Sequence, residues 1–272
     1  MSDSSYAFDA PDADVIIRAP LQQGSKEPTI KDFHVHKTIL SVASPFFRDM
    51  FSIPQPPQPA GGDTALPIIP VKESAGVFET FLRLIYPIEP PVINSLQLVD
   101  HLLRLADKYI VEGVHTKLKS ILMSPSFLRD DPILVYAIAC RANLNKEARL
   151  AIPYTFQTDL IKDVSRNKLR MMTTLSYHRL LAEHSLRRDQ LVNAVDEVYR
   201  SQTRRLDQCR CIGQLKKEIR VRISDKPFLS REMLEEYLSA QPSPPWCYGG
   251  CPLSPEESPS FLSDFMRRIN EI

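Results

Sequence analysis

The chain has 272 residues, 43% hydrophobic and 25% charged, a composition that excludes wholesale disorder and fibrous repeats. At roughly 150 residues per domain, the length suits two ordinary domains. Lys and Arg total 34 against 33 Asp and Glu, a net charge of +1, so no whole-molecule field draws the protein onto nucleic acid or anionic lipid, and any basic partner surface must be local.

The first residues, Met1 to Tyr6, lack a basic stretch followed by an apolar run, and no segment approaches the ~18 apolar residues that a membrane helix needs. A cytoplasmic or nuclear location is expected, with no membrane partner. Five cysteines are too few, and odd in number, for a secreted disulfide framework, so reduced thiols are expected.

Proline organises the chain, with 23 copies against 8 glycines. The first 70 residues hold short β-branched runs between Pro and Gly clusters, the pattern of strands and turns. Val15 to Ala19 reads as one strand, Asp32 to Val35 as a second, and Leu66 to Ile69 as a third, which Pro67 and Pro70 push to a sheet edge. Between the second and third, Ile39, Leu40, Ala43, Phe47, Met50 and Phe51 recur at helical spacing, and Pro45 inside that pattern predicts two short helices or a kink. Val77 to Ile85 forms the next apolar stripe, ending at Tyr86-Pro87. Asn94 with Gln97 reads as a capping box opening a helix whose stripe is Leu98, Val99, Leu102, Leu103, Ala106 and Tyr109. A helix from Val114 to Leu122 closes a domain near residue 124. Ser124-Pro125 then begins a turn, and Asp131-Pro132 supplies an N-cap and first-turn proline for Ile133 to Arg141. No proline and only Gly213 interrupt residues 154 to 226, so the second half is predicted helical, ending in an amphipathic helix around Phe261 to Ile269.

Asp14-Val15 and the run from Phe33 through His36, Lys37, Leu40, Ser44, Pro45, Phe47 and Met50 to Phe51 resemble the core signature of the BTB/POZ domain. Leu66 to Ile69, Val77 to Tyr86 and Leu102 to Tyr109 follow in that family's order, so the resemblance covers residues 12 to 124. It implies an α+β fold, a small mostly antiparallel sheet flanked by helices, followed by an all-α extension. Residues 125 to 240 resemble the BACK-like helical extension of many fungal members, on the amphipathic pattern of Asp131 to Arg141 and Glu147 to Arg149. Residues 1–11 are then a disordered N-terminus and 241–272 a proline-rich tail with its short terminal helix.

The family's signature and partner surface map onto Asp14, His36, Lys37, Leu40, Ser44, Phe47, Phe51, Tyr86, Ala106 and Tyr109. The resemblance places Asp14 and Lys37 in a shared pocket near a dimer surface; ordinary exposure of both is the alternative. It also implies protein partners, a cullin scaffold among them. Cullin-binding members often carry a hydrophobic-x-Glu motif after the position of Phe51, where this chain reads Ser52 to Gly62 with prolines and no glutamate. That proline run is read as a stiff extended loop, against the alternative of a ligand for aromatic-lined grooves. Family dimers swap an extra N-terminal helix, and only eleven residues, Pro11 among them, precede Asp12, so homodimerisation stays open.

His34 and His36 alternate as strand ligands would, yet a catalytic zinc needs three, and His101, His115, His178 and His184 fall on predicted helices without partner spacing. A structural role for His36 at the strand-to-helix junction is the preferred reading. Cys209, Cys211, Cys247 and Cys251 could together form a tetrahedral zinc site, with free thiols as the default. Residues 166 to 222 carry 14 Lys and Arg against 6 Asp and Glu. Leu191, Ala194, Val195, Val198, Tyr199 and Leu206 trace an apolar face there, with Arg187, Arg188, Arg200, Arg204 and Arg205 mostly opposite, so a solvated helix face outweighs a nucleic-acid surface. No phosphate-cradling Gly-rich loop or catalytic motif appears, so neither an enzyme nor a cofactor is expected. The sequence reads as an interaction or adaptor module, possible ubiquitin-ligase coupling included; a transcriptional regulator contacting nucleic acid or corepressors through the basic helices is the alternative.

Overall fold

A computed structural model describes residues 8–21, 29–53, 66–206, 210–240 and 258–270. The chain divides into two compact units, Met1–Asp130 and Asp131–Ile272.

In the first unit, β1 (Val15–Pro20) is the middle strand of three, between β2 (Ile30–Val35) and β3 (Ile68–Pro70). Val15, Ile17 and Ala19 point into the core and are fully buried, while Ile16, Arg18 and Pro20 alternate to the other face. β2 runs antiparallel to β1, with Val15 opposite Val35 and Arg18 opposite Asp32. That last pair forms a two-pronged bridge at 2.8 and 2.7 Å, and the guanidinium's hydrogen bonds hold the Asp32 carboxyl below its usual range. β3 joins β1 in parallel, so the sheet is mixed. Two helices, α1 (Lys37–Ala43) and α2 (Pro45–Ser52), lie in the chain between β2 and β3, and such a crossover lets β3 return in the direction of β1. Residues 8–11, expected in a disordered segment, are held in place: Phe8 is buried edge-on against Phe33 and Tyr86, and its carbonyl accepts from the His34 N–H.

The helices α3 (Ala75–Ile85), α4 (Leu96–Lys108), α5 (Glu112–Leu122) and α6 (Pro125–Asp130) complete this unit. The cap of α4 is Ser95, not Asn94: its hydroxyl accepts from the Leu98 N–H and donates to Gln97 Oε1. The helix starts at Leu96, so the N–H three residues beyond the cap belongs to Leu98. The expected turn at Ser124-Pro125 is the start of α6, because proline suits a first helical position and the Ser124 carbonyl takes the Leu128 N–H.

The second unit is helical. In α7 (Pro132–Arg141), Asp131 caps the Leu134 N–H as expected, but Ile133 through Ala139 are all buried. The helix is apolar all round rather than amphipathic, which marks it as a central element. It packs with α8 (Asn145–Thr155) and α9 (Arg166–Met171). A second core lies among α10 (Thr174–Leu206), α11 (Arg210–Asp225), α12 (Arg231–Ala240) and α13 (Ser258–Asn270). There Leu191, Val195 and Tyr199 meet Leu215, Ile219 and Ile223, with Leu262, Phe265 and Ile269 of α13. The terminal helix, expected in a tail, is thus part of the core.

Two helix ends share one closing geometry. After α4, the Val111 N–H reaches the Ala106 carbonyl and the Ile110 N–H that of Asp107; after α7, Leu144 reaches Ala139 and Asn143 reaches Cys140. Both ends need a left-handed residue, supplied by Ile110 (φ 54°) and Asn143 (φ 55°). Asparagine tolerates that conformation; a β-branched residue does so at a cost. Ile110→Gly should therefore raise stability in urea melts by about 1 kcal/mol, glycine's own entropic penalty included. A variant no more stable than the parent would show that the turn stores no strain.

Candidate protein-interaction surface

Ser44 sits between α1 and α2 in an extended conformation (φ −144°, ψ 118°), which the following Pro45 favours by disfavouring the helical region for its predecessor. Its buried hydroxyl donates to the Tyr109 carbonyl at 2.5 Å and accepts from the Phe47 N–H at 3.1 Å. One side chain thereby breaks one helix, caps the next and ties both to the end of α4, 65 positions away. Tyr109 lies under the break, stacked on Phe47 at 5.0 Å and edge-on to Phe46 at 5.4 Å, with Phe81 at 5.8 Å and Phe78 at 6.0 Å. Its hydroxyl donates to Glu73, which also pairs with Lys108 at 2.6 Å. Burial works to raise the Glu73 carboxyl, but the Lys108 ammonium and these hydrogen bonds leave it below the usual range.

At the start of α1, the Tyr86 hydroxyl accepts from the His36 N–H at 2.8 Å and lies 3.3 Å from Nδ1, while Nε2 is 3.3 Å from Asp12. His36 is the residue before the helix, not a strand ligand. The Asp14 carboxylate accepts from the Lys37 N–H at 2.7 Å, capping α1 where His36 provides no side-chain cap. Asp14 is exposed and Lys37 half-buried, and the contact between them runs to the Lys37 backbone N–H rather than to its ammonium. The Lys37 ammonium instead lies 6.0 Å from the Phe51 ring centroid.

The signature residues therefore divide. Leu40, Ser44, Phe47, Tyr86, Ala106 and Tyr109 are buried and specify the fold; Asp14, His36, Lys37 and Phe51 reach the surface at least in part. The exposed apolar groups on α1, α2 and the residues that follow α2 and α4 are others: Val42 at 85%, Phe46 at 38%, Ile53 at 60% and Ile110 at 55%. Phe46 lies in the first turn of α2 and Ile53 is the extended residue that follows its last turn, and Ile110 follows the residue whose ring touches Phe46. Phe46 and Val42 lie within the signature run, but the pattern does not show which apolar face stays uncovered.

Among the described residues no group of three or more His, Cys, Asp and Glu is placed to hold a metal ion. Cys209, Cys247 and Cys251 lie outside the described residues, and Cys211 falls on α11. No described helix is long and apolar enough to cross a membrane.

Residues 27–126 match the family model of the BTB/POZ domain. The first unit contains a BTB/POZ domain. No curated protein matches the chain. BTB domains are protein-interaction modules that also mediate dimerisation, and the small mixed sheet with its flanking helices is the scaffold here. The match covers the Ser44 hub and the exposed residues around it.

Removing the hub's hydroxyl leaves the Tyr109 carbonyl and the Phe47 N–H short of a buried partner. Ser44→Ala should thus destabilise the BTB domain by about 2 kcal/mol, read as a lower urea midpoint at unchanged slope; an unshifted midpoint would deny the hub its role.

The remaining histidines have separate surroundings. His101 and His178 are exposed, and His115 pairs with Asp107 at 3.3 Å. His184 is buried in the second unit, its Nε2 2.9 Å from the Thr155 hydroxyl, whose proton goes to the Ile152 carbonyl. Nε2 is therefore the protonated nitrogen of a neutral ring. Burial, and then the charge of Arg188, push its pKa down from 6.5 to about 4. The unfolded chain binds this proton first as pH falls, so stability declines through the window between 6.5 and about 4. From pH 7 to 4.5, His184 should contribute a loss of about 2 kcal/mol that His184→Gln lacks. Parallel stability curves for the two chains would contradict this.

Proposed function

We propose that the protein is an adaptor whose BTB domain docks a protein partner over the surface formed by Phe46, Ile53 and Ile110, with Val42 beside it. The observation that carries this reading is the set of large apolar side chains left in water around the α1–α2 break, on a backbone made stiff by the Ser44 hub. Exposed apolar groups on a rigid support are the anchors from which interfaces draw most of their affinity. Ile110 adds to this. A β-branched residue held left-handed and exposed serves no folding purpose that glycine would not serve better, whereas partner contact supplies a reason for its side chain.

A cullin scaffold is the first partner to test, and the second unit is read as a BACK-like helical extension that grips the protein to be presented. Full-length chain carrying Phe46→Glu and Ile53→Lys should melt as the parent does but lose cullin co-purification by about tenfold or more. Undiminished capture by this variant would falsify the surface assignment. Parent chain that captures no cullin but retains a corepressor through residues 125–240 would favour the transcriptional alternative.

A further inference from the structure

We propose that one face of α11, formed by Gly213, Lys216, Lys217, Arg220, Val221 and Ser224, is a docking site for an acidic amphipathic peptide segment of a partner protein. These residues line an open groove of about 510 Å³. The inner face of the helix is spent on the core, where Leu215, Ile219 and Ile223 are buried, so this outer face is held rigidly in register.

The charge on it is arranged. Asp196 of α10 takes Lys216 at 3.1 Å and Arg220 at 2.5 Å. Burial works to raise that carboxyl, but the two cations hold it below the usual range. One carboxylate fixes two cations and neutralises only one. Lys217 has no partner among the described residues and is exposed. At the far end, Arg188 donates to the Ser224 carbonyl at 3.3 Å, adding a further positive group. The face therefore keeps a net positive charge, and Asp196 already immobilises Lys216 and Arg220 within it, which lowers the entropy lost when a ligand arrives.

Two features favour a peptide over a polyphosphate. Val221 stands 59% exposed among the cations, an apolar contact that a phosphate backbone would not use but a leucine or phenylalanine of an acidic helix would. The Asp196 carboxylate, fixed between Lys216 and Arg220, disfavours the dense charge of a phosphate run more than the widely spaced single charges of an acidic helix. At the Gly213 end the groove is open: a Cβ there would meet nothing within 4 Å, although glycine inside a helix costs about 1 kcal/mol against alanine.

The test uses the full chain and a fluorescein-labelled helical peptide of about 15 residues, glutamate on one face and leucine on the other. Anisotropy should rise saturably. The combined Lys217→Glu and Arg220→Glu variant should weaken binding by about tenfold or more, and Lys217→Glu alone, which disturbs no pairing with Asp196, should weaken it measurably. Gly213→Phe leaves every charge in place and should weaken binding by filling the groove. Val221→Asp should do the same, whereas Phe46→Glu on the BTB domain should leave binding unchanged, which separates this site from the surface proposed above. Binding that survives charge reversal would overturn the proposal. So would binding lost on charge reversal but indifferent to both Gly213→Phe and Val221→Asp, which is the mark of a diffuse field. Duplex DNA competing at equal affinity would reassign the face to phosphate.

Discussion

The BTB domain depends on one buried hydroxyl. Ser44 ends α1, caps α2 and holds the carbonyl of Tyr109, and a hydrogen bond in that position is worth more than its modest net energy suggests. Losing it leaves two backbone groups unsatisfied in a dry environment, at the desolvation penalty of each. Because Tyr109 also stacks on Phe47 and reaches Glu73, the same point fixes the ring cluster and the β3–α3 connection. The angle between α1 and α2, and hence the spacing of Phe46 and Ile53 relative to Ile110, is set by a polar contact that solvent does not reach.

A rigid support changes what exposed apolar groups are worth. A flexible chain carrying the same side chains would lose rotamer and backbone entropy on binding; here that loss has already been incurred in folding. The left-handed turn at Ile110 belongs to the same economy. The α4 terminus is closed by two backbone hydrogen bonds whatever side chain occupies the turn, so the turn can carry an isoleucine at a local conformational cost.

Much of this was legible from local chemistry. Pro45 announced the α1–α2 break, Asp131-Pro132 the start of α7, and the β-branched run from Val15 to Ala19 the strand β1. What escaped was decided by distant partners. Asn94 and Ser95 both fit a cap, and the first turn of α4 chose between them. The parallel entry of β3 follows from the helices that precede it, which no three-residue run encodes. Phe8 looked like part of a loose terminus until the aromatic slot between Phe33 and Tyr86 was formed. The candidate surface was the least legible, because signature residues such as Leu40, Phe47 and Tyr109 turned inward while the neighbouring Phe46 and Ile110 turned outward. Periodicity separates two faces of a helix, but when both are apolar it does not say which remains in water.

The two surfaces differ in the physics available to them. Around Phe46, apolar area can supply affinity but little steering. On α11, cations fixed by Asp196 supply steering and register, over a range limited to a Debye length of about 8 Å at physiological salt. The positive excess of residues 166 to 222 is balanced by an acidic remainder, so the chain as a whole attracts no acidic partner from afar. An acidic segment feels the α11 face only once it is close. A partner engaged at the first proposed surface is tethered to the same chain, and the length of its own linker then decides whether its acidic segment comes within that range of the second. Modest affinity at each is then enough for a selective assembly, which is the economy expected of an adaptor.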